Sequence, residues 1–281
     1  MMPVIEKEGF KLIHLIYILI IIICIVAIGF AVYKQFFKDE KLGVIFGITD
    51  EEEDEEYNNL KDNFFNIFDN SLNILEQYNG KLSKIKKEED VIIAYNNQEQ
   101  TENYTLDLKI PYFNINSEVA KKFNSEIKTT FKDKSASVVS SKDDNIIYNV
   151  KYKAYESNNI LSLIILSELK EGNNNQRIII QAYNYDLSTN KEVTINELIT
   201  LKDIDINQAN NKIKSEIKSS QEENIKLSEL GYNTNVRDAD ADTYKIQNSE
   251  NFFIGEKGYL YVVYAYGNKE LTSETDVVII R

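Results

Sequence analysis

The sequence predicts an α+β fold in which a mostly antiparallel sheet carries helices on one face and is preceded by a single transmembrane helix. Three features of the chain lead to this prediction. Residues Leu12–Tyr33 form an apolar run without a charged side chain. Several later segments alternate apolar and polar residues, as half-buried strands do, and others repeat apolar residues at helical spacing. Turn-rich stretches between successive strand segments favour hairpins, which give antiparallel pairing.

The apolar run Leu12–Tyr33 is long enough to cross a membrane. As a helix that rises about 1.5 Å per residue, its twenty-two residues would extend about 33 Å, against a hydrocarbon core of about 30 Å. A cleaved signal peptide, with Ala27-Ile28-Gly29 as a weak cleavage site, is the alternative. A lipoprotein signal is rejected because isoleucines precede Cys24. An uncleaved anchor in contact with membrane lipid fits best.

The pattern of charge divides the chain into a tail, an anchor, a linker and a domain. Residues 1–11 form a short tail, and residues 34–56 form a juxtamembrane linker that ends in a run of acidic residues. Residues 57–281 have the patterning of a folded α+β domain. Lysines flank both ends of the anchor, so the positive-inside rule gives almost no orientation.

Composition excludes several kinds of chemistry in the domain. The formal charge of −13 repels phosphate backbones and argues against nucleic acid as a partner. The only cysteine, Cys24, and the only histidine, His14, both lie in the apolar run. Catalytic triads, cysteine nucleophiles and ordinary zinc sites therefore have no residues to draw on in the domain. We expect no cofactor and no enzymatic activity; a carboxylate-dependent glycan hydrolase is the enzymatic alternative that remains.

The first helix of the domain is predicted from Tyr57 to Gln77. Its apolar positions recur at steps of three and four residues and therefore share one face. That face consists of Leu60, Phe64, Phe68, Leu72 and Leu75. The face either packs on the domain's own sheet or pairs with the same helix of a second copy, so self-association through these residues is one hypothesis.

Two strands and a helix follow the first helix. The strands are predicted at Val91–Tyr95 and Tyr104–Ile110, with a polar stretch between them. Pro111 is expected to end the second strand. The helix is predicted from its N-cap, Ser117, to Phe131.

The second half of the domain is predicted to be rich in strands. After a polar connection over residues 132–145, an alternating strand covers residues 148–154. A hairpin then joins Ile160–Leu169 to Arg177–Asp186 through a turn rich in glycine and asparagine.

One further helix and three strands complete the prediction. The helix covers Ile206–Ser219, and Asp205 with Gln208 matches a capping box at its start. A polar stretch over residues 221–249 is expected to hold a short helix and an acidic loop. Tyr259–Tyr266 is apolar on both faces, so it is predicted to be a central, covered strand. The other two strands are predicted at Phe252–Ile254 and Val277–Ile280.

One acidic motif is a weak candidate for a metal site. Asp238, Asp240 and Asp242 resemble the first half of a calcium-binding loop. An EF-hand also needs glycine at position six and glutamate at position twelve. Thr243 and Ser249 occupy these positions, so the match fails and a solvated acidic loop is the preferred interpretation.

Two stretches of the chain resemble a known family. Tyr183–Leu198, which reads YNYDLSTNKEVTINEL, resembles a characteristic stretch of the DUF3298 domain. Tyr104–Phe131 resembles the DUF4163 segment that usually precedes it. By this resemblance, residues 57–135 contain the DUF4163-like part and residues 145–281 form the DUF3298-like part. The hairpin turn at Glu171–Asn175 departs from the Gly-Gly-Ala-His-Gly-like turn that the family often has.

The resemblance implies a location and a kind of function. Relatives include the extracytoplasmic part of RsiV-like membrane anti-sigma factors and the non-catalytic region of some peptidoglycan deacetylases. We therefore expect a non-catalytic binding or sensing module outside the cell membrane, with a protein or cell-wall ligand. The eleven residues before the anchor are too few for a sigma-binding domain, so that role is not carried over. A glycan hydrolase and a structural subunit of a membrane complex are the alternatives.

Overall fold

Two β-sheets organise the domain. The computed structural model describes residues 57–68, 90–141, 145–266 and 273–281. In this part of the chain the larger sheet has the order β1-β2-β3-β4-β5-β6, and the smaller has the order β7-β8-β9. The strands are β1 Val91–Gln100, β2 Tyr104–Phe113, β3 Ile146–Ser157, β4 Ile160–Glu171, β5 Arg177–Asp186, β6 Lys191–Glu192, β7 Phe252–Ile254, β8 Leu260–Tyr266 and β9 Glu274–Ile280; the longer helices are α1 Glu118–Ile127, α2 Asp133–Val139, α3 Ile195–Leu201 and α4 Ile206–Glu229.

The predicted α+β class and the mostly antiparallel pairing are confirmed. All neighbouring strands of the larger sheet pair antiparallel except β2 and β3, which run parallel. This exception arises because α1 and α2 lie between these strands in the chain and form a crossover that returns the chain to the same end of the sheet. The predicted hairpin is β4–β5, and β8 is the central strand of the smaller sheet, as expected.

The larger sheet carries helices on one face, as expected, but its other face packs against a second sheet that was not predicted, and helices also cover the outer face of that smaller sheet. Leu163 on β4 packs with Phe123 of α1 on the outer side of the larger sheet. Ile164, the next residue, packs with Tyr261 of β8 between the sheets. On the outer side of the smaller sheet, Val262 packs with α3 and α4. Successive side chains of a strand point to opposite faces of its sheet, so neighbouring residues of one strand pack in two separate cores.

The first two strands extend further than predicted. β1 continues through polar residues to Gln100, because as an edge strand it exposes that part to solvent. β2 continues past Pro111 to Phe113. The pairing of β2 with β3 has already ended at Leu108, and β1 has a bulge between Ile93 and Tyr95 next to the proline. Pro111 has no backbone N–H to donate. It therefore lies where the hydrogen bonding between strands is already irregular, and proline is tolerated there.

The helix predicted to end at Phe131 continues to Val139 through a π-helical turn, Lys128–Lys132. Residues 132–145 were predicted to be a polar connection, but the first part of this stretch is helical. Ser117 is the N-cap, as predicted, and its hydroxyl accepts from the N–H of Ala120 over 3.0 Å. The hydroxyl of Tyr148 donates to the carbonyl of Phe131 over 3.0 Å and satisfies a backbone acceptor in the π-helical turn.

The helix α4 is ten residues longer than predicted and ends at Glu229 rather than Ser219. Asp205 caps it as expected, with its side chain accepting from the N–H groups of Asn207 and Gln208. The buried stripe of α4 stops at Ile217. The added turns are almost entirely polar and give no apolar periodicity from which to predict them.

The chain enters the domain through a short helical segment, residues 57–68. A helix over residues 57–62 gives way to a turn and then to a 3-10 turn, Phe65–Phe68, so the predicted continuous helix is interrupted. Phe64 and Phe68 are each 1% exposed and pack in the core between the sheets. For these two residues the apolar face meets the domain's own sheets, which is one of the two predicted alternatives.

Several sequence-based predictions lie outside the described residues. These are the anchor Leu12–Tyr33, the tail and linker on either side of it, and Leu72 and Leu75 of the first helix. Within the described ranges, no helix combines the length and apolarity needed to cross a membrane.

Candidate functional site

A polar pocket opens beside β8, where two 3-10 turns, Asp242–Tyr244 and Ile246–Asn248, lead into the smaller sheet. Its cavity volume is about 240 Å³, somewhat below the range of about 300–1,000 Å³ of ordinary ligand sites. We call it the tyrosine pocket; its lining residues are Thr243, Tyr244, Asn248, Ser249, Glu250, Asn251, Val262, Val263, Tyr264, Ala265 and Tyr266. Its size suits one small group rather than an extended ligand.

Three tyrosines give the pocket its aromatic surface. The rings of Tyr244 and Tyr264 lie 4.9 Å apart and nearly perpendicular, at 67°. The hydroxyls of Tyr244 and Tyr266 are hydrogen-bonded over 2.8 Å. Tyr264 and Tyr266 share one face of β8 because they are two residues apart. The pocket wall is therefore fixed by a strand on one side and a 3-10 turn on the other.

A buried ionic cluster supports this wall from behind. Arg237, 3% exposed, donates from Nε to Oδ2 of Asp276 over 2.5 Å and from Nη1 to Oε2 of Glu274 over 2.6 Å. Glu274 also accepts from the backbone N–H of Asn235 over 2.7 Å and from the amide of Asn224 on α4 over 2.7 Å. Asp276 is 7% exposed, so Arg237 and Asp276 are both largely removed from water.

The cluster is joined to the pocket by Tyr266. The guanidinium carbon of Arg237 lies 4.5 Å from the centroid of the Tyr266 ring, within the range of a cation–π contact. Tyr266 and Tyr264 lie opposite Glu274 and Asp276 in the β8–β9 pairing, so all four side chains project from the same face. The strand register thus places the ionic cluster and the aromatic wall side by side.

Burial and hydrogen bonding fix the protonation of these groups. Burial alone would raise the pKa of Glu274, but hydrogen bonds from Asn235, Arg237 and Asn224 outweigh it and hold that pKa below its ordinary value. Burial raises the pKa of Tyr264 to about 12. Burial and the hydrogen bond with Tyr244 hold the pKa of Tyr266 far above its ordinary value. At neutral pH the pocket therefore presents neutral phenols, which can donate hydrogen bonds but cannot act as bases.

The three aspartates of the weak metal candidate are not brought together as a site. Asp240 is paired with Lys214 of α4, and Asp242 with Lys245 over 2.6 Å. Asp238 accepts from the N–H of Asp240 over 3.1 Å, which stabilises the local turn. Among the described residues no group of three or more acids, histidines or cysteines is arranged to hold a metal ion.

The stretch Tyr183–Leu198 has a structural role at the junction of the sheets. The amide of Asn184 donates to the carbonyl of Phe252 over 2.8 Å, and its Oδ1 accepts from the hydroxyl of Ser162 over 2.6 Å. The Ser162 oxygen in turn accepts from the N–H of Ile254 over 3.0 Å. β4 and β5 of the larger sheet are thereby hydrogen-bonded to β7 of the smaller one.

The same stretch forms a tight turn after β5. Asp186 accepts from the N–H groups of Ser188 and Thr189 over 2.7 and 3.1 Å. Hydrogen bonds from Ser188 and then Thr189 lower the pKa of Asp186 to about 2, although desolvation opposes them. The hydroxyl of Tyr185 donates to Oδ1 of Asn190, which has a left-handed backbone with φ of 58°. These polar residues build the fold and do not line the tyrosine pocket.

A second acidic location, outside the pocket, lies at the end of β3 and includes Glu156 and Asp90. Burial and the nearby charge of Asp90 raise the pKa of Glu156, at the end of β3. A carboxyl group with a raised pKa beside another carboxylate is the pattern of a general acid. Neither Glu156 nor Asp90 lines the tyrosine pocket.

The comparisons with known proteins give structural neighbours only. No protein-family model matches the chain, and no curated protein matches it. Structural neighbours of the chain include DUF3298 family proteins. One from Pseudomonas aeruginosa PAO1 is 10% identical, with a TM-score of 0.39 over 64% of this chain and 84% of that one. One from Bacteroides fragilis NCTC 9343 is 11% identical, with a TM-score of 0.32 over 63% and 81%.

The tyrosine pocket and the ionic cluster were not predicted from the sequence. Arg237 lies in a polar stretch with no periodicity, and its partners Glu274 and Asp276 lie 37 and 39 residues further along the chain. The available signal was Tyr264 and Tyr266, two large polar-tipped rings at alternate positions of a strand predicted to be covered. Their hydroxyls required polar partners in the core, and those partners could have been sought among distant residues.

Proposed function

We propose that the protein is a single-pass, membrane-anchored module of the cell envelope whose domain lies outside the cytoplasm and recognises a ligand without catalysing its conversion. The tyrosine pocket is the recognition site in this proposal. The observation that carries it is the chemistry of the lining residues, which provide neutral phenols, amides and hydroxyls around a single carboxylate, Glu250.

This set of side chains favours binding over hydrolysis. Glycan hydrolysis in most families requires two carboxyl groups, about 5–5.5 or 6.5–9.5 Å apart, on either side of the scissile bond. Glu250 has no second carboxylate among the pocket-lining residues. Glu274 and Asp276 lie behind the wall, where Arg237 neutralises much of their charge, so they support the site rather than face a ligand.

The location in the envelope is supported by the sequence. The apolar run Leu12–Tyr33 has the length of a membrane anchor, and the domain has no cysteine. The resemblance of Tyr104–Phe131 and Tyr183–Leu198 to the DUF4163 and DUF3298 segments of RsiV-like proteins favours the outward orientation.

Protease accessibility on intact cells tests the placement. The full chain would carry an epitope tag after Arg281 and a different tag before Met1. Protease added outside the cells should remove the C-terminal tag and leave the N-terminal tag intact. Protection of the C-terminal tag on intact cells, with digestion after lysis, would contradict the outward placement.

A hydrolase is the second candidate, and it is favoured by one observation, the raised pKa of Glu156 beside Asp90. The full chain in detergent would be incubated with purified peptidoglycan and the release of reducing ends measured. Activity that disappears in Glu156→Gln and persists in Glu250→Gln would establish this alternative and reject the non-catalytic proposal. Absence of release from the wild type, beside an active muramidase control, would exclude this alternative.

A further inference from the structure

We infer that the tyrosine pocket binds one neutral sugar ring, a conclusion that rests on the proposed recognition function and names its ligand class. The pocket combines aromatic faces with closely spaced hydrogen-bonding groups of both kinds. A pyranose has the complementary surface, because its C–H groups form an apolar face and its hydroxyls at the ring edge both donate and accept hydrogen bonds.

Tyr264 and Tyr266 provide the partly exposed rings on the aromatic side of the pocket, whereas Tyr244 is only 7% exposed. Tyr244 and Tyr264 meet nearly edge to face, so they form a corner rather than a flat stack. Tyr264 remains partly exposed in β8. Its hydroxyl lies 3.5 Å from that of Ser249, which is the long limit of a hydrogen bond, so this contact is weak. This hydroxyl is therefore available to a ligand that enters the corner.

The polar side of the pocket offers donors and acceptors in one short stretch of chain. Asn251 uses Oδ1 to accept from the N–H of Ala182 over 3.3 Å, which leaves its amide N–H groups as donors. Asn248 uses Nδ2 to donate to the carbonyl of Asp242 over 2.8 Å, which leaves its Oδ1 as an acceptor. Glu250 is exposed and adds a charged acceptor. Adjacent sugar hydroxyls need this mixture of partners.

The groups around the pocket favour a neutral ligand. The lining contains no lysine or arginine, and Glu250 together with the net charge of −13 would repel a phosphate or carboxylate. The Tyr266 ring offers no free cation–π face to a ligand, because the Arg237 guanidinium already lies 4.5 Å from its centroid. A neutral ligand meets neither obstacle.

Saturation-transfer NMR on the full chain in detergent tests the inference. The probes are methyl glucoside and N-acetylglucosamine as neutral sugars, protonated glucosamine as a cation, and glucose 6-phosphate as an anion. The variants are Glu250→Gln and Tyr264→Ala, each with a matched control outside the pocket, Glu229→Gln and Tyr232→Ala. Glu250 and Glu229 are both exposed, so Glu250→Gln keeps the test valid if Tyr264→Ala fails to fold.

We expect at least one neutral sugar to bind and both charged probes to bind at least about tenfold more weakly. Glu250→Gln should weaken the neutral sugar about tenfold, in line with the loss of a charge-assisted hydrogen bond, while Glu229→Gln leaves it unchanged. Tighter binding of glucosamine, or no signal from either neutral sugar, would overturn the inference. Retention of the chain on purified peptidoglycan with no effect of Glu250→Gln would also overturn it; non-catalytic recognition would then stand, but at a site other than the tyrosine pocket.

Discussion

Arg237 donates from Nε to Oδ2 of Asp276 over 2.5 Å and so joins the loop after α4 to the last strand of the smaller sheet. The two residues are 39 positions apart in the chain and almost fully buried. Removing two charges from water costs several kcal/mol per ion unless each is paired and hydrogen-bonded. The further bonds from Arg237 to Glu274 and to the carbonyl of Asn235 provide this compensation and hold the wall of the tyrosine pocket in place.

Replacement of Arg237 should therefore be among the most destabilising changes outside the apolar cores. Arg237→Met leaves Glu274 and Asp276 buried without a counter-charge, and we expect a loss of about 3–5 kcal/mol in the free energy of unfolding. Chemical denaturation of the full chain in detergent, followed by circular dichroism, measures it. The control is Lys245→Met, which removes an exposed lysine paired with Asp242 and should change stability little. Equal effects of the two substitutions would contradict the account.

The turn after β5 should make stability depend on pH in the acid range. The pKa of Asp186 is about 2 in the folded protein against an ordinary value of 3.8. A lowered pKa means that its stabilising contribution is complete above pH 3.8 and is lost as the pH falls towards about 2. Asp186→Asn should reduce stability at neutral pH and flatten the fall in stability over this window. Asp62→Asn, at an exposed position, should leave the pH profile unaltered; a profile unchanged by Asp186→Asn would contradict the assignment.

The contact between the sheets should depend on Asn184. In Asn184→Ala the carbonyl of Phe252 and the hydroxyl of Ser162 lose buried partners, and we expect a cost of about 1–3 kcal/mol. Ser162→Ala combined with Asn184→Ala should cost less than the sum of the single changes, because the residues share one network. Urea denaturation of the four proteins gives the coupling energy. Strict additivity would show that the two side chains act independently.

The segment at the start of the domain provides a test with adjacent phenylalanines. Phe64 is 1% exposed and its ring lies 6.4 Å from that of Phe253, whereas Phe65 is 41% exposed. Phe64→Ala should lower the free energy of unfolding by about 3–5 kcal/mol through loss of burial and formation of a cavity. Phe65→Ala should have a much smaller effect. If light scattering instead showed a fall in oligomer mass for Phe64→Ala with stability retained, the segment would act between copies of the chain.

The parts of the fold that could be predicted are those where local pattern and burial agree. Tyr259–Tyr266 consists only of aromatic and aliphatic residues, and Leu260–Val263 of β8 are indeed buried on both faces. Ser117 and Asp205 are caps whose side chains act within three residues, so their role is visible in the sequence. The hairpin β4–β5 is similarly local.

The parts that could not be predicted depend on contacts between distant residues. The apolar run Leu163–Leu166 of β4 indicates that both faces are covered but not that Ile164 meets a second sheet, because its partner Tyr261 lies far along the chain. The added turns of α4 carry almost no apolar residues, and Asn224 within them is fixed by a hydrogen bond to Glu274 on β9. Predicting the pocket would have required two features at once. One is the α4 extension that supports Glu274, and the other is the strand register that places Tyr266 beside Arg237.

The most direct test of the account measures binding and turnover in the same sample. Full chain in detergent is mixed with purified peptidoglycan, and the protein that sediments is quantified together with the reducing ends released. We predict retention that falls in Glu250→Gln but not in Glu229→Gln, with no release of reducing ends above the protein-free sample. Release of reducing ends by the wild type, abolished in Glu156→Gln, would contradict the account and identify the protein as a hydrolase.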